Sequence, residues 1–218
     1  MRRFAWLVVG VLLVAGGCGG KKEQPAAERP EAAAPEKHAA KEGLVPAGWF
    51  SVQDESGVAN PNYKCLLTGA WMVRKKLVLK VSPDKIAAAR VAYHMAQDPY
   101  FPGQKGSSML HIALNGELLL EDNVQSVATK GWHAVDMPPN RLIEGDNVVE
   151  FRVSGPTYVY LSVDPGGKAR RSCASVDGGA TWNCDVLAAN NLYELQKNRK
   201  LKPPRGGEYM VRLIYEPK

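Results

Sequence analysis

An alternation of apolar and polar residues across positions 107–163 constrains the fold of this chain more than any other feature. Successive side chains of a β-strand point to opposite faces, so a period of two leaves one apolar face for burial. The pattern predicts strands at residues 110–114, 117–120, 132–137, 148–153 and 158–163, with others at 77–81, 91–95 and 209–215. Short strands that follow one another in this way predict an all-β protein with two packed sheets, a β-sandwich.

The turn between the first two of these strands can be identified from its residues. Asn115 and Gly116 separate residues 110–114 from residues 117–120. An Asn-Gly pair readily takes the positive φ angles of a type I′ turn. We therefore expect the chain to reverse at this pair and to form a β-hairpin.

The amino terminus has the parts of an export signal. Two arginines precede twelve mostly apolar residues at 4–15, and small residues then lead to Cys18. This run is too short for a membrane-spanning helix, which needs about 20 residues. Residues 1–17 resemble a bacterial lipoprotein signal peptide with its lipobox, although Ala15 stands where Leu is more usual; the alternative is a plain secretory leader. The resemblance implies cleavage before Cys18 and a membrane-anchoring lipid on the Cys18 sulfur.

Residues 18–48 differ in composition from the rest of the chain. They are rich in Ala, Pro, Glu and Lys, and such a segment buries too little apolar surface to offset the entropy of the chain. We expect a disordered lipidated tether at 18–48 and a single domain at 49–218. Gly19 stands where some inner-membrane lipoproteins carry Asp. The resemblance thus favours the outer membrane of a bacterial cell envelope, on its periplasmic or surface face.

The distribution of charge excludes one class of partner. The formal net charge is +6, of which Arg2 and Arg3 of the leader contribute two, while residues 19–48 carry five basic and five acidic side chains. Removing both segments leaves only +4 on the predicted domain. Nucleic-acid-binding domains carry clustered Lys and Arg with interleaved aromatic residues, so we expect no nucleic-acid partner. The basic run at residues 197–205 is typical of a solvated loop.

Residues 90–163 contain Leu114-Asn115-Gly116, then Gly131-Trp132, then the run L-I-E-G-D-N-V-V-E-F-R at residues 142–152. In these motifs the segment resembles the galactose-binding-like domains, which are β-jelly rolls. These domains accompany many glycoside hydrolases and other carbohydrate-active enzymes. The resemblance therefore implies a jelly-roll β-sandwich of the carbohydrate-binding-module type, without catalysis. The family often carries a structural calcium ion, and the sequence indicates no other cofactor.

Residues 175–182 read S-V-D-G-G-A-T-W and resemble the Asp-box of sialidases and related propellers. The resemblance implies that Asp177 holds a turn through backbone hydrogen bonds and that Trp182 packs beneath it. Gly178 and Gly179 supply the unusual φ angles of such a turn. A propeller repeats its motif in every blade, whereas this chain has one copy. We therefore expect a structural turn and no sialidase activity.

The positions of the cysteines agree with that turn. With the two glycines at its tip, antiparallel pairing places Cys173 opposite Cys184, and an exported protein meets an oxidising compartment. We expect a disulfide between these two residues. Cys65 is then left over, either buried or paired with another thiol. A bridge from Cys65 to one member of the pair is the competing arrangement.

The candidate ligand-binding residues are Asp98, Tyr100 and Phe101. They lie in a long polar loop at residues 97–107, and long loops of sandwiches often carry binding residues. The alternative is that the two aromatic rings pack as a lid over the core.

Catalytic motifs are absent from the sequence. It has no G-x-S-x-G, no H-E-x-x-H and no Gly-rich loop between a strand and a helix. His94, His111 and His133 lie on predicted strands without metal-ligand spacing, so we interpret them as structural or exposed and assign no metal ligand. We expect a non-catalytic lipoprotein whose sandwich binds an extracytoplasmic ligand, in the first place a glycan. The alternative is a structural envelope lipoprotein that docks protein partners.

Overall fold

Thirteen strands account for most of the residues that the computed structural model describes, which are 37–40, 44–57, 63–97, 108–167, 170–185 and 207–218. The strands are β1 (Lys37–Ala40), β2 (Phe50–Val52), β3 (Lys64–Leu67), β4 (Met72–Leu79), β5 (Ile86–Gln97), β6 (Met109–Leu114), β7 (Glu117–Asn123), β8 (Gly131–Met137), β9 (Gly145–Ser154), β10 (Val159–Asp164), β11 (Ser172–Ser175), β12 (Glu208–Tyr209) and β13 (Val211–Pro217). Short 3₁₀ helices lie at Pro83–Lys85, Val124–Val127 and Pro139–Arg141. Within the described ranges, no helix is long and apolar enough to cross a bilayer.

The strands form two antiparallel sheets. The five-stranded sheet has the order β11-β4-β9-β6-β7. In the eight-stranded sheet, β8 lies on one side of β5 with β1 beyond it. On the other side of β5, β13 pairs with its first part and β10 with its end, and β2 and β3 lie beyond them. Strand β12 adds a short pairing to β10.

One apolar core lies between the two sheets and confirms the predicted sandwich. Every second residue of the strands contributes to it, as the period of two requires. The Tyr93 ring of β5 meets the Phe151 ring of β9 edge to face across the sandwich, with centroids 5.4 Å apart. The predicted inward faces of β9 and β10 are fully buried and consist of Val149, Phe151, Val153, Val159, Leu161 and Val163.

The structure has a strand at each predicted position, but the ends of several strands differ. The strand predicted at 77–81 is Met72–Leu79, and residues 209–215 are divided between β12 and β13. Strand β5 covers Ile86–Gln97, where the sequence predicts residues 91–95. The Asn115-Gly116 turn has φ angles of +52° and +82°, as a type I′ turn requires. The side chain of Asn115 also accepts a 2.9 Å hydrogen bond from the backbone N–H of Val148. The hairpin β6–β7 is thereby joined to the start of β9.

The Asp-box forms the turn that its sequence predicts. The Asp177 carboxylate accepts hydrogen bonds from the backbone N–H and the hydroxyl of Thr181, at 2.9 and 2.6 Å. The glycines at the tip have φ angles of +71° and +94°, which favour residues without a Cβ. Trp182 is partly buried beside the turn. These contacts give the motif a structural role in the described part of the chain.

The predicted disulfide joins Cys173 and Cys184. Ala174 and Asn183 exchange two backbone hydrogen bonds of 2.8 Å, so the two cysteines form the adjacent non-hydrogen-bonded pair that the predicted register requires. Because they are bonded to each other, the competing bridge to Cys65 is wrong. Cys65 is buried in β3.

Residues of the segment before residue 49 contact the eight-stranded sheet at two places. Strand β1 lies inside the range assigned to the tether and pairs with β8. Leu44, Val45 and Trp49 pack on a small apolar cluster on the outer face of the eight-stranded sheet, formed by Ala92, Ala134 and Ile214. The predicted leader, the predicted lipidation residue Cys18 and the basic run at 197–205 lie outside the described residues.

Candidate ligand-binding pocket

Strand β5 ends at Gln97, directly before the loop with the predicted ligand-binding residues. Asp98, Tyr100 and Phe101 lie outside the described residues, but β5 ends beside a cavity on the outer face of the eight-stranded sheet. We call this cavity the β5-end pocket; it is lined by Lys64, Ala96, Gln97, Ala128, Lys130, Tyr160 and Ser162. Its volume is about 280 Å³, near the lower end of the range of roughly 300–1,000 Å³ for ligand pockets. The cavity therefore suits a small group such as a sugar unit.

Strand alternation places the polar lining on the outer face of the sheet. Tyr160 and Ser162 of β10 alternate with residues that point into the core. Antiparallel pairing sets Tyr160 opposite Ala96 of β5 and Ser162 opposite Lys64 of β3. Three strands thus contribute side chains to one surface.

Tyr160 gives the pocket an aromatic surface. The Nζ atom of Lys64 lies 5.1 Å from the centroid of the Tyr160 ring. Such a cation–π contact is worth only about 0.5–1 kcal/mol at an exposed site, and both side chains are partly exposed. A ligand can therefore displace the ammonium group from the ring, or bind the two groups together.

His94 and Ser162 form a hydrogen-bonded pair, with Nδ1 and Oγ 2.7 Å apart. Burial, reinforced by the positive charge of Lys130 and other cations, lowers the pKa of His94 to about 4. The imidazole is therefore uncharged at neutral pH. Lys64 and Lys130 supply the positive charge of the described lining.

A stack of side chains fixes the orientation of this pair. The Trp132 ring of β8 meets the His94 ring edge to face, with centroids 5.6 Å apart. The Arg212 guanidinium lies 4.3 Å from the centroid of the same indole, and Glu55 accepts two hydrogen bonds from it, at 2.5 and 3.1 Å. Because Trp132 is held by Arg212 and Arg212 by Glu55, the His94 ring beside the pocket is positioned before any ligand binds.

Two acidic residues, Asp54 and Glu208, belong to a buried charge cluster. The Lys75 side chain is fully buried, pairs with Glu208 and lies 3.2 Å from Asp54. Arg171 pairs with the other oxygen of Asp54 at 2.9 Å. The two cations therefore neutralise carboxylates that would otherwise suit a hard metal ion. In the described residues, no three His, Cys, Asp or Glu side chains are grouped to hold a metal, and the calcium ion implied by the family resemblance stays a prediction.

The other two histidines on the predicted strands, His111 and His133, have partners of their own. His111 Nε2 lies 3.2 Å from the hydroxyl of Ser154. His133 Nε2 lies 3.1 Å from the carbonyl oxygen of Thr129, and burial lowers the pKa of this histidine. These contacts are consistent with structural roles.

Sequence analysis did not identify Lys64, Lys130, Tyr160 or Ser162 as site residues. The alternation in residues 158–163 already indicated that Tyr160 and Ser162 face outward. The alternation did not indicate which strands lie beside β10. The pocket is formed by β10 together with those neighbouring strands.

No model of a known protein family matches this chain, and a search of curated proteins found no match either. The lipoprotein and jelly-roll resemblances therefore rest on the residues quoted for them.

Proposed function

We propose that this protein is a non-catalytic lipoprotein of the bacterial cell envelope whose β-sandwich binds a glycan in the β5-end pocket. The observation that carries the proposal is the pocket lining, in which the Tyr160 ring lies beside the polar groups of Lys64, Gln97, Lys130 and Ser162. A sugar ring has an apolar C–H face and a rim of hydroxyl groups. Aromatic rings pack on such a face, and a few amide, hydroxyl and ammonium groups bind such a rim.

The predicted ligand-binding loop belongs to the same proposal. Asp98, Tyr100 and Phe101 follow Gln97 in the chain, and loops held by a rigid sheet commonly complete a binding site. The Asp98 carboxylate and the Tyr100 and Phe101 rings would enlarge the aromatic and polar surface that includes Tyr160. The lipid on Cys18 would keep this domain at the membrane.

Docking of a protein partner is the alternative function. Four large apolar side chains are at least half exposed in the described residues, namely Phe50, Leu118, Ile143 and Val176. Phe50 lies on β2 and Leu118 on β7, whereas Ile143 and Val176 lie outside the strands. This distribution supports a flat docking patch less than the pocket lining supports a glycan site.

The test uses the full chain purified in detergent, first on a glycan array and then by calorimetry with the bound glycan. Tyr160→Ala should weaken binding about 5- to 30-fold, which corresponds to the loss of roughly 1–2 kcal/mol. Tyr160→Phe keeps the ring and should retain most of the affinity. Phe50→Ala removes an exposed ring of β2 and is the matched control, with wild-type affinity expected.

Variants of the predicted loop extend this test. Tyr100→Ala and Phe101→Ala should also weaken binding if the loop completes the site. A folded chain that binds no glycan would contradict the proposal and favour protein docking. Turnover of a chromogenic glycoside would contradict its non-catalytic part.

A further inference from the structure

We propose that a second site, on the outer face of the five-stranded sheet, binds an anionic polysaccharide. A groove of about 620 Å³ lies there, on the opposite side of the sandwich from the β5-end pocket. We call it the basic groove. Four cations line it against a single acid: Arg74, Lys76, Arg170 and Arg171, with Asp146.

Two of the cations project from β4. Arg74 and Lys76 are two positions apart and so lie on the same face, about 7 Å from each other along the strand. Lys76 pairs with Asp146 at 2.8 Å, but their side chains are 46% and 54% exposed. Surface pairs of this kind contribute little to stability because water and salt screen them. An anionic ligand can therefore replace Asp146 at Lys76.

The other two cations enter the groove from the segment before β11. Arg171 is fixed by its 2.9 Å pair with Asp54 and by its backbone N–H, which donates to Glu208 at 3.0 Å. Arg170 beside it is exposed and has a φ angle of +52°, a left-handed conformation that is unfavourable for a residue with a Cβ. Such backbone strain is often found at functional positions. In the described residues, no carboxylate lies within ion-pair distance of Arg170.

The shape and charge of the groove favour a polysaccharide over other polyanions. The groove is concave, so a chain segment fits into it, whereas a bilayer surface is flat. Its volume lies well inside the usual range for ligand sites, roughly 300–1,000 Å³. Single-stranded nucleic acid binds by stacking its bases on exposed aromatic rings, whereas the described lining of the groove contains no aromatic side chain. A polymer with carboxylate or sulfate groups at intervals suits the spaced cations.

The test measures binding of the full chain, purified in detergent, to four probes. Dextran sulfate and polygalacturonate carry sulfate and carboxylate groups, dextran is the neutral control, and vesicles of phosphatidylcholine with phosphatidylglycerol represent a membrane. Calorimetry should show binding to both anionic polymers and none to dextran. Binding should weaken as sodium chloride is raised, because salt screens the cations.

Variants locate the binding in the groove. The double variant Lys76→Gln/Arg170→Gln should lose about ten-fold in affinity for dextran sulfate, since it removes two charge-assisted contacts. Lys80→Gln, an exposed lysine just after β4 and outside the groove, should keep wild-type affinity. Tyr160→Ala alters the other site and should also leave this affinity unchanged. Circular dichroism and thermal melts check that each variant is folded.

Three results would overturn the proposal. The first is a folded chain that binds neither anionic polymer. The second is an equal loss of affinity in the double variant and in Lys80→Gln, which would indicate a non-specific effect of net charge. The third is binding to the anionic vesicles without binding to the polymers, which would assign these cations to a lipid surface.

Discussion

Two adjacent lysines of β4 have opposite environments. Lys75 points into the protein, where its fully buried ammonium group pairs with Glu208 and Asp54. Lys76 points to the solvent and pairs with Asp146 on the surface. A buried ion pair stabilises a protein little compared with apolar packing, but the loss of one partner leaves an uncompensated charge inside. The two positions therefore differ greatly in the cost of the same substitution.

Lys75→Met should lower the free energy of unfolding by about 3–5 kcal/mol, because Glu208 would remain buried without its counter-charge. Lys76→Met makes the same change one position along the strand and should alter it by less than about 1 kcal/mol. Urea denaturation monitored by circular dichroism measures both values. Similar effects of the two substitutions would contradict the role assigned to the buried ammonium group.

His94 should make the stability of the protein depend on pH. Burial, followed by nearby cations, lowers its pKa from 6.5 to about 4, so below pH 6.5 the unfolded chain takes up a proton that the folded protein does not. The stabilisation by neutral His94 is thus complete above pH 6.5 and is lost as pH falls towards 4. Between pH 7 and 4, wild type should lose about 1–2 kcal/mol more than His94→Gln, allowing for solvent screening.

A second variant separates burial from hydrogen bonding as the cause of this dependence. Ser162→Ala removes the hydroxyl that bonds to His94 but leaves the ring half-buried, as in the wild type. It should therefore keep most of the wild-type pH dependence. Parallel stability profiles for wild type and His94→Gln, measured by urea denaturation at each pH, would show that the folded-state pKa of His94 is not lowered.

At the scale of single elements, the Asp-box hairpin illustrates what the sequence could predict. Its contacts are local: Asp177 binds Thr181 four residues away, and Ala174 pairs with Asn183 across the same turn. Turn residues, register and the facing cysteines could thus be deduced from one short segment. The ends of the strands were harder to predict from the sequence. The end of β5 is set by the strands beside it, and these pair with it as far as Gln97.

Removal of the hairpin disulfide should lower stability by about 2–3 kcal/mol at most. The chain-entropy model gives this figure for a bridge between residues 11 positions apart. The variant Cys173→Ser/Cys184→Ser should remain folded, because β11 keeps its pairing with β4. Urea denaturation compares the variant with wild type under non-reducing conditions. Peptide mapping of native protein should recover the linked pair, and finding both cysteines as thiols would contradict the bridge.

At the scale of the whole molecule, the β5-end pocket depends on contacts that no local pattern contains. Strand β10 pairs with both β3 and β5. Lys64 and Ser162 are therefore paired although they are far apart in the chain. The buried Lys75–Glu208 pair likewise joins positions 133 residues apart. The alternation of residues determines which side chains face outward on each strand. Which outward side chains become neighbours is decided by the order of strands in the sheet, and this order follows from the packing of the complete core.

The predicted leader at residues 1–17 leads to a prediction about membrane anchoring. Residues 4–15 and the small residues before Cys18 resemble a lipoprotein signal, so the mature chain should begin at an acylated Cys18. Each buried CH₂ of an acyl chain contributes about 0.8 kcal/mol to membrane binding, and two chains suffice for stable anchoring. Mass spectrometry of the mature amino-terminal peptide should therefore show the acylated cysteine, and Cys18→Ser should move the protein from the membrane to the soluble fraction.

The control is Cys65→Ser, which removes a buried cysteine of β3 and should leave the protein in the membrane fraction. An unmodified amino terminus at another residue would contradict both the lipid and the membrane location.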